Sequence, residues 1–347
     1  MNPHESALEY PFADALPASG EAMEVAPGVR WIRMGLPFAL NHVNLWLVDD
    51  GDGWAVIDCG IANDATRAAW EQVFTDALGG RPVSRVIVTH CHPDHVGLAD
   101  WLCERWNVSL WMTVGEYGFA RMMSAGLPGA NGPSMIPHFR RHGLTDPDKL
   151  AQLDGRKHYY PSLVPRVPEH FIRLDERQAL RIGAHEWRVI TGTGHSPEHA
   201  ALYCEALGVL ISGDMLLPRI STNTSVFAVE PEADAVGQFL DSLQKFLPLP
   251  ADTLVLPSHG KPFRGMRERV AQLQAHHAER LDEVRVACAS PQSAADIVPL
   301  MFRRELDMHQ MTFAMGEALA HLHRLWHAGE LHRIDGDDGV LRFVKNE

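Results

Sequence analysis

Short runs of apolar, β-branched and aromatic residues recur along the chain, divided by segments whose apolar positions follow a helical period or whose composition favours turns. Val29-Arg33, Val43-Val48 and Trp54-Ile57 read as strands, and Asp49-Asp50-Gly51-Asp52-Gly53 between the last two predicts a hairpin. In DATRAAWEQVFTDAL (64–78), Ala65, Ala69, Val73 and Ala77 fall on one helical face, and Gly79-Gly80 stops the helix. A strand at Val86-Val88 and a helix over Val96-Trp106 follow, with later strands at Trp187-Ile190, Val209-Ile211 and Thr253-Leu256. No repeat or low-complexity tract interrupts the alternation, which predicts a layered α/β design.

Two stretches depart from this rhythm. Between Gly115 and Arg173 the pattern loosens into MMSAGLPGANGPSMIPHFRRHGL and HYYPSLVPRVPEH, rich in Met, Pro, aromatic and basic residues. A long irregular insert of this sort usually has a role. It reads as a cap in which Met122, Met123, Phe139, Tyr159 and Tyr160 form an apolar wall and Arg140 and Arg141 meet an anionic substrate end; ordinary helical packing is the plainer alternative. From residue 266 to 289 one long helix is expected, with Val270, Leu273, His277, Leu281 and Val284 at helical spacing. Beyond it come a capped short helix in SPQSAADIVPLMF, a second with Met315, Leu319, Leu322 and Trp326 inward, and a hairpin around Asp335-Gly339. The expected organisation is an N-terminal arm (1–24), a main domain (25–265) carrying the cap at about 115–173, and a C-terminal unit (266–347).

Composition adds exclusions. With no apolar run long enough to span a membrane, and no basic start followed by an apolar stretch in the first twenty residues, a cytoplasmic protein is expected. Cysteines at 59, 91, 103, 204 and 288 are odd in number and lack CxxC spacing, so they read as reduced, small buried hydrophobes. The formal charge of −13 disfavours nucleic acid as a partner.

Candidate chemistry concentrates in THCHPDHVG (89–97), where His90, His92, Asp94 and His95 follow a predicted strand. Other strand ends carry matching groups: His195 in TGTGHSPEH, Asp214 in SGD and His259 in PSHG. All can project from the carboxyl edge of a sheet toward one crevice. A lone histidine is more often structural, but seven imidazole and carboxylate donors suit two divalent cations, zinc first and iron or manganese as rivals. His90 and His92, two residues apart in an extended turn, can face one ion, while Asp94 and His95 turn toward a second. Cys91, between two ligands, faces away from both. His199 reads as a buried structural histidine.

These motifs resemble the metallo-β-lactamase superfamily of binuclear hydrolases, whose HxHxDH signature stands here as His90-Cys91-His92-Pro93-Asp94-His95. VIDCG (56–60), GTGHSPEH (192–199), SGD (212–214) and SHG (258–260) look like its other motifs, so the resemblance spans about residues 25–265. It implies a four-layer αβ/βα sandwich, with His90, His92 and His195 on one metal, Asp94, His95 and His259 on the other, and Asp214 bridging them. Asp58 would steady the histidine loop; a turn-capping role is its plainer reading. The bridging aspartate points away from true β-lactamases and toward enzymes similar to glyoxalase II thioesterases and quorum-signal lactonases. Those usually read GHTPGH where this chain has GHSPEH, with Glu198 at the glycine position.

The expected activity is hydrolysis of an ester or thioester, of CoA or glutathione type, with lactones next, by a hydroxide shared between the cations. Asp94 is expected to orient it and accept its proton. Arg219 and Asn223, in the stretch 216–226 after the bridging aspartate, are further candidate contacts to a small-molecule substrate, beside Arg140, Arg141, Tyr159 and Tyr160. The tail's order of helix, helix and wing resembles the winged-helix-like module of a lactamase-like endoribonuclease branch, and makes RNA cleavage the rival activity. Eight Lys and Arg against twelve Asp and Glu from Val270 onward argue against a groove binder. A homodimer contact is the expected use of the tail, and a non-enzymatic winged-helix regulator is the remaining alternative.

Overall fold

The computed structural model describes residues 5–38, 40–129 and 131–346, so the first four residues of the expected N-terminal arm lie outside it. After a 3-10 turn at Glu5–Ala7 come β1 (Ala22–Ala26), β2 (Val29–Gly35), β3 (His42–Asp49) and β4 (Trp54–Ile57). Then follow α1 (Asp64–Asp76), β5 (Val83–Ile87), α2 (Pro93–Val96), α3 (Ala99–Trp106) and β6 (Leu110–Met112). The cap region holds α4 (Val114–Ser124), α5 (Gly132–Arg141), α6 (Pro147–Asp154) and α7 (Tyr159–Leu163) before β7 (Phe171–Arg173). The second half contains β8 (Ala179–Ile182), β9 (His185–Gly192), β10 (His199–Cys204), β11 (Val209–Gly213), α8 (Ala235–Gln244) and β12 (Leu254–Pro257). Finally come α9 (Met266–Ala287), α10 (Ala294–Met301), α11 (Met308–His327), β13 (Leu331–Asp335) and β14 (Leu341–Lys345).

Strands β1 to β7 form one sheet in sequence order, antiparallel up to β4 and parallel from β4 to β7. A second sheet runs β12-β11-β10-β9-β8, with only the β11–β12 pair parallel. The two sheets face each other, and strand alternation sorts their side chains between layers. In β3, Trp46 and Val48 enter the central layer with Trp187, Leu202 and Ile211 of the second sheet, while Val43, Leu45 and Leu47 pack outward with Trp70 and Val73 of α1. In the second sheet Ala201, Tyr203, Leu210 and Val255 pack outward with Phe239 and Leu243 of α8 and Val270 of α9. Because both faces are covered, β3 reads as a nearly unbroken apolar run. This is the four-layer αβ/βα arrangement, completed by a C-terminal domain.

The tail shares a core with the cap and α8, in which Met315, Leu319 and Leu322 of α11 meet Ile297 of α10, Phe343 of β14, Leu150 of α6 and Val236 of α8, with Trp326 partly buried at its edge. Phe139 of the cap belongs to this core. Among the described residues no helix is long and apolar enough to cross a membrane.

Three local expectations change. The buried face of α1 is Thr66, Ala69, Trp70 and Val73 rather than one through Ala65, which is exposed, because the indole of Trp70 donates to Cys59 O and rotates the helix toward it. The helix expected over Val96-Trp106 is two helices, broken at Gly97 and Leu98. A Cβ on Gly97 would lie 2.5 Å from Pro93 O and 2.6 Å from Gly60 O, so only glycine lets the 60–62 chain press there, and Leu98 N–H donates to Gly60 O across the break. The cap is largely helical rather than irregular, since Asn131 and Asp146 cap α5 and α6 with side-chain acceptors inside segments whose Pro and Gly content hides the period.

The central layer sets stability. Trp46→Ala is expected to lower the free energy of unfolding by about 3–5 kcal/mol, read as a shift of the urea midpoint at unchanged slope; a loss below about 1 kcal/mol would mean the layer repacks around the gap.

Candidate metal centre

The loop that leaves β5 and enters α2 carries His90, His92, Asp94 and His95, with His92 at the helix N-cap and Pro93 in its first turn. His195 follows β9, Asp214 follows β11 and His259 follows β12. These are ends of strands from both sheets, and they converge. His90, His92, His195 and Asp214 offer donor atoms within 4.8 Å of one another, and Asp94, His95 and His259 do the same.

Asp214 links the two groups. Its Oδ2 lies 3.5 Å from His195 Nε2, while Oδ1 lies 3.6 Å from His95 Nε2 and 3.4 Å from His259 Nε2. Asp94 Oδ2 lies 3.4 Å from His259 Nε2 and 3.7 Å from His95 Nε2. In the first group His90 Nε2 is 3.0 Å from His92 Nδ1 and 3.3 Å from His195 Nε2.

In four of the five histidines the ring nitrogen away from the centre has a fixed partner. His95 Nδ1 pairs with Asp58 Oδ2 at 2.8 Å, His195 Nδ1 with Asn223 O at 2.7 Å, His259 Nδ1 with His42 O at 2.8 Å, and His90 Nδ1 with Thr89 Oγ1 at 3.0 Å. Such partners select the tautomer whose free nitrogen points inward. The donors fit a pair of cations on one observation above all: His95 Nε2 and Asp214 Oδ1 are buried, face each other and have no hydrogen-bond partner among the described residues. A polar atom buried that way is costly unless something charged satisfies it.

Electrostatics agree. Burial, aided by His95 for His90 and by His195 for His92, drives both imidazoles well below their ordinary range, which leaves them neutral and able to donate a lone pair. Burial also opposes a proton on His95, but the carboxylates of Asp94, Asp58 and Asp214 outweigh it and raise this imidazole to about 10. Burial would raise Asp214, yet His259 and His95 hold it well below the usual carboxylate range. The carboxylates thus create a demand for positive charge that a proton meets only in part.

The supporting residues extend beyond those singled out in the sequence. Asp58, at a positive φ of 63°, accepts from Thr89 N–H at 2.8 Å as well as pairing with His95, so it braces the ligand loop at two points. Buried Glu116 of α4 accepts from Cys91 N–H at 2.8 Å, Ser196 Oγ at 2.5 Å and Glu198 N–H at 2.7 Å. It therefore joins the loop after β5 to the loop after β9. No spacing rule marks a glutamate in a cap helix for this task; its burial does. Glu198 has its own role: its carboxylate accepts from Gly115 N–H at 2.8 Å, at the N-terminus of α4. His199 Nε2 accepts from Asp214 N–H at 3.2 Å, and a Cβ on Gly213 (φ +55°) would lie 2.3 Å from that same nitrogen.

The candidate substrate residues separate in space. Tyr159 is partly buried and lines the same cavity as His92, its ring 4.0 Å from the Arg156 guanidinium carbon. Tyr160 is buried and donates to Cys91 O at 2.5 Å, holding the loop. Asn223 meets His195 through its carbonyl, and the chain beyond it is pinned by Val226 N–H donating to Gly316 O of α11 at 3.1 Å. Arg141 binds Asp335 and Gly339 O of the C-terminal hairpin rather than the donors, and Arg140 and Arg219 are exposed.

The family model described as the metallo-beta-lactamase superfamily matches residues 39–259, and that of the metallo-beta-lactamase-like C-terminal domain matches residues 281–346. A crystal structure of a beta-lactamase domain protein from Burkholderia ambifaria is 60% identical, with a TM-score of 0.94, over 99% of this chain and 100% of that one. A metallo-beta-lactamase family protein from Thermus thermophilus is 27% identical, with a TM-score of 0.77, over 93% and 100% of the two chains. The probable metallo-hydrolase YqjP of Bacillus subtilis is 25% identical over 84% of this chain and 90% of its own length. A hydroxyacylglutathione hydrolase of Xanthomonas axonopodis is 25% identical over 64% and 62%.

Removing a brace should loosen cations without removing a donor. Asp58→Ala and Glu116→Ala are each expected to weaken metal retention about 10–100-fold in competition with a chelator, with Glu116→Gln recovering part of it. Unchanged retention in both alanine variants, with circular dichroism matching the parent, would show that the loops hold their shape unaided.

Proposed function

The chain belongs to the metallo-beta-lactamase superfamily, and on that premise we propose that it hydrolyses an ester or thioester, with lactones the next class. The observation that carries the reading is the placement of Asp214, with one carboxylate oxygen toward each donor group. That arrangement suits two divalent cations, zinc first and iron or manganese next, held by His90, His92 and His195 on one side and by Asp94, His95 and His259 on the other. When bound, they would supply Lewis acidity and bring the pKa of water toward neutrality.

The chain's own groups do the rest. Asp94 has its carboxylate partly exposed, unlike the buried His95 and His259 beside it, so it can orient the attacking water and accept its proton. Asp58 keeps His95 turned inward while Asn223 O does the same for His195. The cap helices shield the His92 side of the centre: Tyr160 lies buried over Cys91, and Phe119 and Met123 line the adjoining space. An apolar surround of this kind excludes competing water and favours an organic acyl group over a phosphodiester backbone. The weak likeness to a hydroxyacylglutathione hydrolase, a thioesterase by name, supports the same bond type. The acidic tail adds no footprint for RNA.

The test is a panel of acyl-CoA and glutathione thioesters, simple esters, lactones, phosphodiesters and single-stranded RNA, run on protein of measured metal content beside Asp214→Ala. Thioester or ester turnover that disappears in the variant is expected; RNA cleavage that disappears while carbonyl substrates stay untouched reverses the assignment. In the same assays Asp94→Asn is expected to lower kcat about 10²–10⁴-fold while metal content falls far less. Equal losses of both would make Asp94 only a ligand.

A further inference from the structure

Beside His92 a cavity of about 190 Å³ opens between the cap and the C-terminal domain. Its apolar walls are Phe119 and Met123 of α4, Met135 of α5, Leu153 of α6, Phe227, and Phe313 of α11, with Asn131, Tyr159, His309 and Thr312 as polar neighbours. Among the described residues lining it none is acidic, and the charged side chains are Arg156 and Lys157. Arg156 is held in place, over the Tyr159 ring and 3.1 Å from His309 Nδ1, and has no ion-pair partner among the described residues. It is partly buried and Lys157 is exposed, whereas Met135 and Leu153 are buried, so the cations lie toward the open side of the cavity and these two side chains toward its floor.

We infer that this cavity is the acyl pocket: it takes a straight apolar acyl chain of about six carbons, while Arg156 and Lys157 receive the negative charge of a phosphorylated thiol carrier. The inference rests on the thioester reading above and deepens it. The length follows from volume, since an apolar cavity of roughly 150 Å³ holds a six-carbon benzene ring. The charge follows from a guanidinium fixed at the mouth of an apolar chamber with no carboxylate to neutralise it. The pocket is also a joint product of two regions, because α11 supplies Phe313 and His309 to a chamber otherwise built by the cap.

Two measurements test this. In the first, non-hydrolysable thioether analogues of acetyl- to dodecanoyl-CoA are titrated calorimetrically into the metal-free protein, beside the same acyl groups on uncharged N-acetylcysteamine. Affinity is expected to rise roughly fourfold per methylene up to about six carbons and then level off, with the CoA series at least tenfold tighter. Arg156→Gln should erase the advantage of CoA, and Phe313→Ala should move the optimum to longer chains, a change that misfolding does not produce. In the second, kcat/KM of the metal-loaded protein on the matching thioesters should follow the same profile. Affinity independent of chain length, or best for acetyl, overturns the pocket even where thioesters are hydrolysed. Length-dependent binding without hydrolysis of any member supports the pocket and removes the thioesterase reading beneath it.

Discussion

Seven buried or half-buried donors crowd the junction of two sheets, and their desolvation, with the repulsion between facing imidazole lone pairs, constrains everything around them. Imidazole nitrogens 3.0 to 3.3 Å apart, facing a carboxylate that lacks a hydrogen bond on one oxygen, are unstable as a free arrangement and must be forced together. The force comes from outside the cluster. The apolar layer between the sheets fixes the strand ends, and a ring of acceptors (Asp58, Thr89, Asn223 O and His42 O) turns four of the rings inward. Each acceptor costs little by itself, yet together they turn a crowded set of donors into a template suited to cations.

Electrostatics and backbone shape are tied together at the same points. Asp58 adopts a left-handed conformation that non-glycine residues avoid, and its carboxylate binds both the Thr89 amide and the His95 ring. Gly97 lets the adjoining chain pack against the ligand helix, and Gly213 leaves room for His199 beneath Asp214. The strain is local and sits next to the donors. Glu116 performs the corresponding task across distance, since one buried carboxylate serves two loops that approach from different sheets.

Much of this is legible in the chain and some is not, for physical reasons. HCHPDH and the three later histidine and aspartate positions stand at strand ends, where a side chain can leave a sheet, so their convergence follows from period and spacing. Central strands such as β3 are plain because burial on both faces makes them continuously apolar. The cap reads as irregular, because Pro and Gly at helix starts look like loop composition when caps such as Asn131 go unrecognised. Glu116 and His42 give no signal, since their meaning depends on partners 25 and more than 200 residues away in sequence. Arg141 resembles a substrate clamp only because its partner, Asp335, lies far along the chain.

The hydrogen bond from Val226 to Gly316 joins the strap behind His195 to the middle of α11, and Ser225 presses so closely on Gly316 that a methyl group there would not fit. The tail is thus fastened to the posture of an inner-site imidazole as well as to a chamber wall. A substitution that moves α11 would therefore be felt at the strap and at the His195 ring it holds, although the two lie in different parts of the chain.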